Sequence, residues 1–478
     1  MTGSHATYNA GPGQTYATLT AVPWLSLQPG DVVNIYYQAA HYNTKIAIDA
    51  VGTAAQPIVI NGVTDANCDR PVIDGANAVE SSDSVSFWSG TGSGTAQPTV
   101  EPEGVVTFVW GPNQAYATQQ SYITIQNVEV TGGKGTNTFT NHNGQVTSYD
   151  PGGASGIYAV AIQYVTFQYD TVTGNDEGIF VNSQDNQRMS QYVTLRGNDI
   201  YGNGMSGNQS VHAIYVQGYR SLYEGNFIGA NIAGSLGGAL KDRSSGTVVR
   251  NNYIQCSLRC VDLVDSETVP TIIDDPLYSY AWMYGNVLDS DCSLTVCSSD
   301  LIHWGGDSDD FANYHDGTLY SYDNTIVMQN YPSGNFVRFG IFDLPTNSQS
   351  VDSSNDVIVF RNLGTSPTYE LGINAGTINL QNTDWITTGY VASGESGNTV
   401  TLNKQGTVLT GTNPGFNTDF TLSATSGSPL VGAGVQYPPT APSGAYAPNL
   451  QVVGQYANTY IGIVPRANDN DLGAYAAH

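Results

Sequence analysis

Residues 221–254 read SLYEGNFIGANIAGSLGGALKDRSSGTVVRNNYI, and one short pattern occurs in them twice. In each copy a strand-like apolar segment is followed by an Asn and then by a second apolar segment. The two Asn residues, Asn226 and Asn252, are 26 residues apart. A repeat this short has room for one coil of a parallel β-helix and little else.

The same pattern recurs along most of the chain. Its segments are YITIQNVEV, YVTFQYDTV, YVTLRGNDI, SLYEGNFI, TVVRNNYI, WMYGNVL, LYSYDNTI and VIVFRNL. The corner position falls at 128, 170, 198, 226, 252, 286, 324 and 362, and Asn occupies the last six. We expect these Asn residues to form one stacked column, because Asn tolerates the left-handed conformation of a tight corner and can hydrogen-bond to its copies above and below.

The spacing also selects among all-β folds. A propeller blade needs about 40 residues for its four strands, and several of the intervals here are much shorter. A β-sandwich would not keep one Asn column in register. The sequence therefore predicts a single-domain right-handed parallel β-helix. We expect an N-terminal cap over residues 1–30, the solenoid over 31–430, and an irregular Pro- and Gly-rich segment packed on the solenoid over 431–478.

Charge narrows the possible partners. The 478-residue chain has 14 Lys and Arg against 40 Asp and Glu, which gives a net charge of −26. Such a chain repels nucleic acids and anionic membrane surfaces, and no apolar run reaches the roughly 20 residues of a membrane span. The absence of a signal-like apolar segment at the start favours a chain that begins near a mature end. The composition is typical of a secreted protein, and self-association remains possible.

The spacing of the five cysteines indicates whether the protein resides in an oxidising or a reducing compartment. Four of them form two close pairs, CSLRC at 256–260 and CSLTVC at 292–297. Pairs this close serve as local disulfides in an oxidising compartment or as zinc ligands in a reducing one. We favour disulfides, because neither pair has further His or Cys residues at zinc-finger spacing. Cys68 is left over, and we expect it to be a buried, unpaired thiol.

Four further stretches carry a family resemblance. LKDRSSGTVVRNNYI, VDLVDSE, IHWGGDSDD and GTLYSYDNTIV resemble a group of secreted bacterial right-handed parallel β-helix proteins that are described as polysaccharide-degrading. The words LQPGDVVNIYY, SPLVGAG and DNDLGAYA are similar to the first and last coils of pectate-lyase-like proteins in general. The resemblance implies an extracellular bacterial protein that acts on a polysaccharide, and it does not fix the reaction.

Strand alternation selects the candidate catalytic residues. If Leu240 faces the core, Lys241 and Arg243 face outward, and Asp262 lies 21 residues after Lys241, about one coil away. One interpretation is an ion pair between neighbouring coils that holds the solenoid together. The other is that Lys241 removes the C5 proton of a uronate while Arg243 offsets its carboxylate, as the resemblance to β-helix lyases implies. The second Arg that such lyases place one coil after the Lys is replaced here by Asp262.

Glycoside hydrolysis is the competing chemistry. It requires two carboxyl groups about 5 to 9.5 Å apart, which neighbouring coils can supply. The candidates are Asp262, Asp265, Asp307, Asp309 and Asp310. A third alternative is a non-catalytic structural or adhesive solenoid. QNTDW at 381–385 contains the Asn-Thr-Asp word of polygalacturonase-like hydrolases, but the motifs that should follow it are missing, so we regard it as a coincidence.

The roles of the remaining predicted site residues are assigned from the chemistry of their side chains. His212 and His303 are candidate proton-transfer groups, and His212 precedes Lys241 by about one coil. Trp304 and Arg250, together with Asp262, are candidate substrate contacts. Asp262, Asp265 and Glu267 form the candidate calcium site, with ordinary solvated acidic surface as the alternative.

Overall fold

The computed structural model of the chain is almost entirely β-structure. It describes residues 5–88, 98–108, 119–256, 258–267, 269–294, 296–332, 338–364, 368–394, 398–423, 427–437, 439, 449–458, 461–467 and 470–477. Two short α-helices are present in these ranges, α1 (Ser84–Trp88) and α2 (Pro270–Ile273). The 3₁₀ helices span Leu19–Ala21, Trp24–Ser26, Pro98–Glu103 and Phe311–Asn313. No described helix is long and apolar enough to cross a membrane.

The chain divides into two compact units. Unit 1 comprises residues 1–219 and 234–237, and unit 2 comprises residues 220–233 and 238–478. The strands of unit 1 are β1 (Thr7–Ala10), β2 (Val32–Tyr36), β3 (Thr44–Ile48), β4 (Ile58–Val63), β5 (Val72–Asp74), β6 (Ala78–Glu80), β7 (Gly104–Phe108), β8 (Ser121–Gln126), β9 (Glu129–Thr131), β10 (Thr138–Thr140), β11 (Val146–Ser148), β12 (Ser155–Val160), β13 (Gln163–Gln168), β14 (Thr171–Thr173), β15 (Glu177–Asn182), β16 (Ser190–Gln191), β17 (Thr194–Arg196), β18 (Asp199–Tyr201), β19 (Ile214–Val216) and β20 (Gly218–Tyr219).

Within unit 1 these strands form three sheets. Sheet A1 has the order β1-β2-β4-β8-β13-β17, sheet B1 the order β5-β9-β14-β18, and sheet C1 the order β11-β10-β6-β3-β7-β12-β15-β19. The pairings are parallel except that of β10 with β11. Consecutive strands such as β13, β14 and β15 visit A1, B1 and C1 in turn. This is the path of a parallel β-helix.

Unit 2 repeats the same path. Its strands are β21 (Leu222–Glu224), β22 (Phe227–Ile228), β23 (Leu240–Asp242), β24 (Val248–Arg250), β25 (Tyr253–Gln255), β26 (Val261–Leu263), β27 (Tyr280–Tyr284), β28 (Val287–Asp291), β29 (Asp300–Trp304), β30 (Gly317–Tyr322), β31 (Thr325–Gln329), β32 (Arg338–Leu344), β33 (Gln349–Ser354), β34 (Val357–Arg361), β35 (Thr368–Asn374), β36 (Thr377–Leu380), β37 (Thr383–Thr387), β38 (Thr401–Lys404), β39 (Thr407–Gly411), β40 (Gly454–Tyr456) and β41 (Ile463–Pro465).

Three parallel sheets of unit 2 enclose its core. Sheet A2 has the order β21-β24-β27-β30-β33-β36-β38, sheet B2 the order β22-β25-β28-β31-β34-β37-β39, and sheet C2 the order β23-β26-β29-β32-β35. The inward side chains are almost fully buried aliphatic and aromatic residues. The predicted parallel β-helix is therefore confirmed.

The Asn column exists in unit 2, and it sets the corner between sheets A2 and B2. The backbone N–H and the Nδ2 of Asn226 both donate to Oδ1 of Asn252, each at 2.9 Å. Asn252 is bonded to Asn286 in the same way, and Asn286 to Asn324. All four side chains are buried. A buried amide that is fully hydrogen-bonded fixes the register of successive coils.

Two details of the predicted column are wrong. The left-handed residue is the one before the ladder Asn, as at Asn251, Asp323 and Asn355, with φ between 53° and 58°. The column also does not reach Asn362, which follows β34 and donates to Asn330. The ladder position of that coil is Asp356, whose Oδ1 accepts from Asn324. The segment VIVFRNL therefore belongs one strand later than the other segments of the pattern. In unit 1, the side chain of Asn198 accepts from the backbone N–H of Asp170, the same type of bond as in the column of unit 2.

The terminal segments pack as extensions of each unit. The stretch predicted as a cap already contains β1, which pairs in parallel with β2. In unit 2 the final segment lies against the coils, where Tyr322 donates to the carbonyl of Leu450 and Asn355 donates to that of Val435. The domain boundaries themselves stay predictions.

The cysteine pairing is as expected, with one correction. Disulfides join Cys256 to Cys260 and Cys292 to Cys297. Cys68 is a free thiol, but it is exposed and not buried. It lies in a turn with φ of 68°, where its backbone N–H donates to the carbonyl of Asp65. The turn holds the backbone of Cys68 at the surface, so its side chain does not enter the core.

Candidate functional site

A column of ionisable side chains runs along the outer face of sheet C2. Lys241 on β23 is the register partner of Asp262 on β26, which pairs with His303 on β29, which in turn pairs with Asp343 on β32. Neighbouring residues of these strands, such as Leu240 and its register partners, are buried in the core. Strand alternation therefore directs the four ionisable side chains outward, about 4.8 Å apart along the solenoid.

Lys241 is enclosed by carboxylates. Its Nζ lies 3.1 Å from Oδ2 of Asp262 and donates to Oδ2 of Asp307 at 2.5 Å. Its side chain is only 11% exposed, while that of Asp307 is 26% exposed. The predicted proximity of Lys241 to Asp262 is present, and Lys241 is largely covered.

Arg243 forms a second link in the same cluster. Its Nη2 lies 2.8 Å from Oδ1 of Asp307 and 2.7 Å from Oε1 of Glu267, and its Nη1 donates to the backbone carbonyl of Asp265. The carboxylate of Asp307 thus joins Lys241 to Arg243. The Arg243 side chain is 4% exposed and that of Glu267 is 45% exposed, so Arg243 is a buried cation and Glu267 is on the rim.

The imidazole of His303 is held by Asp262. His303 Nδ1 lies 2.8 Å from Oδ1 of Asp262, and a carboxylate can only accept, so Nδ1 carries the proton of this bond. Arg259 Nη1 lies 2.9 Å from the same Nδ1, but an Nδ1 that donates to Asp262 has no lone pair left for a second donor. Within the described part of the chain, His303 Nε2 has no hydrogen-bond partner. The His303 side chain is only 5% exposed. An oriented imidazole whose Nε2 is unpaired can exchange a proton with a group that reaches it.

Four residues of the cluster have no role predicted from the sequence. Arg259 donates from Nε to Asp300 and from Nη2 to Oδ2 of Asp343 at 2.9 Å. Asn374 Nδ2 donates to the other oxygen of Asp343 at 2.5 Å. The sequence does contain a signal for Arg259, because 4 of the 14 Lys and Arg residues of the chain fall within residues 241–259. Asp300 and Asp343 gave no such signal, because the loops between coils vary in length and hide the register of β29 and β32.

The pKa values of the carboxyl groups are displaced in opposite directions. Burial raises the pKa of Asp262, but the hydrogen bond from His303 and the charges of Lys241 and Arg259 outweigh it and hold the pKa well below its usual value. For Asp307 the charges of Lys241 and Arg243 likewise overcome burial and lower the pKa. Burial dominates at Asp343 and raises its pKa, despite the nearby His303 and Arg259.

The other predicted site residues lie elsewhere. Trp304 is buried, its indole donates to the carbonyl of Gly317, and its ring stacks on His315 at 4.7 Å, so this ring face is not open to a sugar. Arg250 belongs to sheet A2, where it binds Glu224. His212 is a residue of unit 1. Its proposed grouping with Lys241 stays a prediction.

The predicted calcium ligands are already engaged. The oxygens of Asp262 bind Lys241 and His303. Those of Asp265 accept from the backbone N–H of Asp307 and the hydroxyl of Ser308. Among the described residues, no group of three or more His, Cys, Asp or Glu side chains is arranged to hold a metal ion. Asp262, Asp265 and Glu267 therefore do not fit a calcium cage in this arrangement, and calcium binding stays a prediction.

Comparison with known proteins gives similarity to solved structures alone. No protein-family model and no curated protein sequence matches the chain. A GH136 lacto-N-biosidase from Eubacterium ramulus, in its native form, is 12% identical, with a TM-score of 0.38 over 85% of this chain and 67% of that chain. The pectate lyase Pel9A is 12% identical, with a TM-score of 0.39 over 100% of this chain and 97% of that chain. Values this low say nothing about the reaction of this chain.

Proposed function

We propose that the protein is an extracellular glycan-cleaving enzyme and that the outward cluster on sheet C2 is its active site. The observation that carries the proposal is the Asp262–His303 pair, in which a buried carboxylate orients an imidazole whose Nε2 has no hydrogen-bond partner among the described residues. A His–carboxylate pair of this kind is the usual arrangement of a general base. The two disulfides are consistent with an oxidising, extracellular compartment.

Hydrolysis of a neutral glycan fits the electrostatics best. The cluster contains three cations, Lys241, Arg243 and Arg259. They are outnumbered two to one by carboxyl groups, namely Asp262, Asp265, Glu267, Asp300, Asp307 and Asp343. With a net charge of −26 on the whole chain, the site repels a polyanion. A neutral glycan carries no such penalty.

The chemical roles are assigned from the order of the side chains on the sheet. His303 Nε2 takes a proton from water, whose oxygen bonds to the anomeric carbon of the sugar as the glycosidic C–O bond breaks. Asp343, whose pKa burial raises, is the candidate acid that gives its proton to the departing oxygen. Asp262 stays ionised and stabilises the imidazolium. His303 and Asp343 are register partners on neighbouring strands, about 4.8 Å apart along the sheet.

Elimination on a uronate polymer is the second candidate. The observation in its favour is the convergence of Lys241, Arg243 and Arg259, since a lyase must offset a uronate carboxylate with positive charge. The Lys241 ammonium is already engaged by Asp262 and Asp307, so His303 is the candidate base for this reaction as well. The cations are already paired with acids of the protein, which weakens this candidate relative to hydrolysis.

One assay separates the candidates. The protein is incubated with neutral β-glucan, xylan and galactomannan and with polygalacturonate, and each reaction is followed for new reducing ends and for the ultraviolet absorbance of unsaturated uronates. New reducing ends without absorbance support hydrolysis, and absorbance with polygalacturonate supports elimination. If no substrate is cleaved, or if His303→Gln cleaves as fast as the parent, the cluster is a structural ion network and the proposal fails.

A further inference from the structure

Sheet A1 of unit 1 has an unusual charge composition. Its six strands β1, β2, β4, β8, β13 and β17 read TYNA, VVNIY, IVINGV, SYITIQ, QYVTFQ and TLR. They contain no Asp or Glu, although the chain has 40 of these residues, and the one charged residue is Arg196. We call the outward side of these strands the uncharged face.

A continuous column of amides runs across the uncharged face. Its members are register partners in the order Asn9, Asn34, Asn61, Gln126 and Gln168. Each amide nitrogen after the first donates to the amide oxygen of the preceding member, at distances between 2.7 and 3.3 Å. One such bond uses one of the two N–H groups of each donor. The column therefore retains hydrogen-bonding capacity at about 4.8 Å intervals.

Two further columns lie beside the amides. Thr124, Thr166 and Thr194 are register partners on three successive strands. Tyr122, Tyr164 and Tyr192 stack with ring centroids 4.6 Å apart and interplanar angles of 3° and 5°. Because the tyrosine rings cover one another, a ligand meets their edges and not their faces. Tyr164 is 39% exposed, so this column is accessible.

We propose that the uncharged face binds a neutral polysaccharide chain, independently of any cleavage at sheet C2. The columns offer amide and hydroxyl groups at a regular spacing, and a polysaccharide presents hydroxyl groups that recur along its length. Charge argues against the other occupants. A polyanion is repelled by the net charge of −26, and a second copy of the chain brings the same negative charge to the contact. A neutral polymer meets neither penalty.

The size of the face suits such a ligand. Six strands at about 4.8 Å spacing extend about 24 Å, and residues two apart on a strand are about 6.6 Å from each other. A face of these dimensions accepts several consecutive sugars. Its contacts come from single amide and hydroxyl groups that repeat from strand to strand, so we expect weak binding per sugar and a dependence on chain length.

Affinity electrophoresis tests the proposal with the full-length protein. Native gels contain neutral β-glucan, xylan or galactomannan, or polygalacturonate as the charged counterpart. We expect retardation in at least one neutral gel and none with polygalacturonate. The double variant Thr124→Glu/Thr166→Glu, which places two charges in the middle of the face, should weaken retardation at least tenfold. Cleavage of short soluble oligosaccharides at sheet C2 should be unchanged.

Matched variants keep the test falsifiable. Thr377→Glu/Thr401→Glu introduces the same two charges at register partners on sheet A2 and should not alter retardation. Thr166→Val removes one hydroxyl without adding charge, as Val32 and Val59 already do in the same column, and should weaken binding about twofold to fivefold. Three outcomes would each overturn the proposal. The first is equal retardation of the parent and Thr124→Glu/Thr166→Glu, and the second is no retardation in any neutral gel. The third is a parent that sediments as a dimer which this double variant dissociates.

Discussion

His303 and Asp262 are register partners on adjacent strands, and their side chains meet through a 2.8 Å hydrogen bond from Nδ1 to Oδ1. The backbone ladder and the side-chain bond therefore reinforce each other. Neither ring rotation nor a change of tautomer is possible without breaking a bond of the buried carboxylate. A rigid base of this kind is ready for proton transfer before a substrate arrives.

Loss of the His303–Asp262 pair should abolish glycan cleavage. His303→Gln removes the base, and Asp262→Asn removes the charge that orients and supports it, so each should lower kcat by about 10²–10⁴-fold with a smaller effect on KM. The matched control is His41→Gln, because His41 forms the same 2.8 Å contact with Asp74 on the surface of unit 1. Its kcat should equal that of the parent. Equal losses in all three variants would indicate a general effect on folding.

Lys241 should contribute mainly to stability. Lys241→Met leaves the carboxylates of Asp262 and Asp307 without their shared cation, and removing one partner of a buried ion pair costs about 3–5 kcal/mol. We expect the lower end of that range, because Asp307 is partly exposed. Urea denaturation measures it, with the exposed lysine variant Lys404→Met expected to change stability by less than about 1 kcal/mol. A stable Lys241→Met protein without activity would instead support Lys241 as the base.

Acid should weaken this cluster in a defined direction. The folded-state pKa of Asp262 is below its unfolded value, so its ionisation contributes stability above about pH 4, the ordinary pKa of Asp. That contribution is lost as the pH falls through the folded pKa. Asp262→Asn should therefore be less stable than the parent at pH 7, and the difference should shrink below about pH 4. A difference that stays constant down to pH 2 would contradict the assigned charge state.

The sequence was sufficient for the coil architecture but not for every register. The spacing of the coils could be read from the corner Asn residues between 226 and 324, because a buried amide ladder tolerates few other side chains. The pattern failed where Asp356 replaces Asn, since a search for Asn moved the alignment to Asn362. It also could not reveal Asp343, because the chain between β29 and β32 is longer than one coil requires and its register is set by packing.

The number of free thiols tests whether the protein is made in an oxidising compartment. With both disulfides formed, the chain has one alkylatable thiol, Cys68. Because Cys68 is exposed, iodoacetamide should label it without denaturant. Mass spectrometry should still show a single adduct after labelling in denaturant without a reductant, where the buried Cys256 and Cys260 would also react if they were reduced. Reduction under denaturing conditions should raise the number to five. Five adducts before reduction would show that the protein is made in a reducing compartment, and would remove one support for secretion.

The end of the Asn ladder in unit 2 contains two buried aspartates. In the upstream coils each ladder Nδ2 donates to a backbone carbonyl of the preceding coil, as Asn252 does to Tyr223 and Asn324 does to Met283. At the last position Asp384 Oδ1 accepts from the backbone N–H of Asp356, and Asp384 Oδ2 is buried without a partner. The hydroxyl of Ser353 also donates to Oδ1, at 3.1 Å. An ionised Asp384 therefore leaves one buried oxygen, Oδ2, without a donor.

Asp384→Asn should therefore stabilise the protein at neutral pH. Burial and the neighbouring Asp356 raise the pKa of Asp384 well above its usual value. A raised pKa makes the parent lose stability as the pH rises from the unfolded pKa, about 4, to the folded pKa. Asn removes both the buried charge and the unpaired acceptor oxygen, and relief of one unpaired buried acceptor is worth about 1–3 kcal/mol. The gain in the free energy of unfolding, measured by urea denaturation, should be largest at pH 7 to 8 and should vanish near pH 4.

Asp352→Asn, on the outer face of β33, should change stability by less than about 0.5 kcal/mol at either pH. A destabilised Asp384→Asn protein at pH 7 would mean that the ladder requires a charge at its last position.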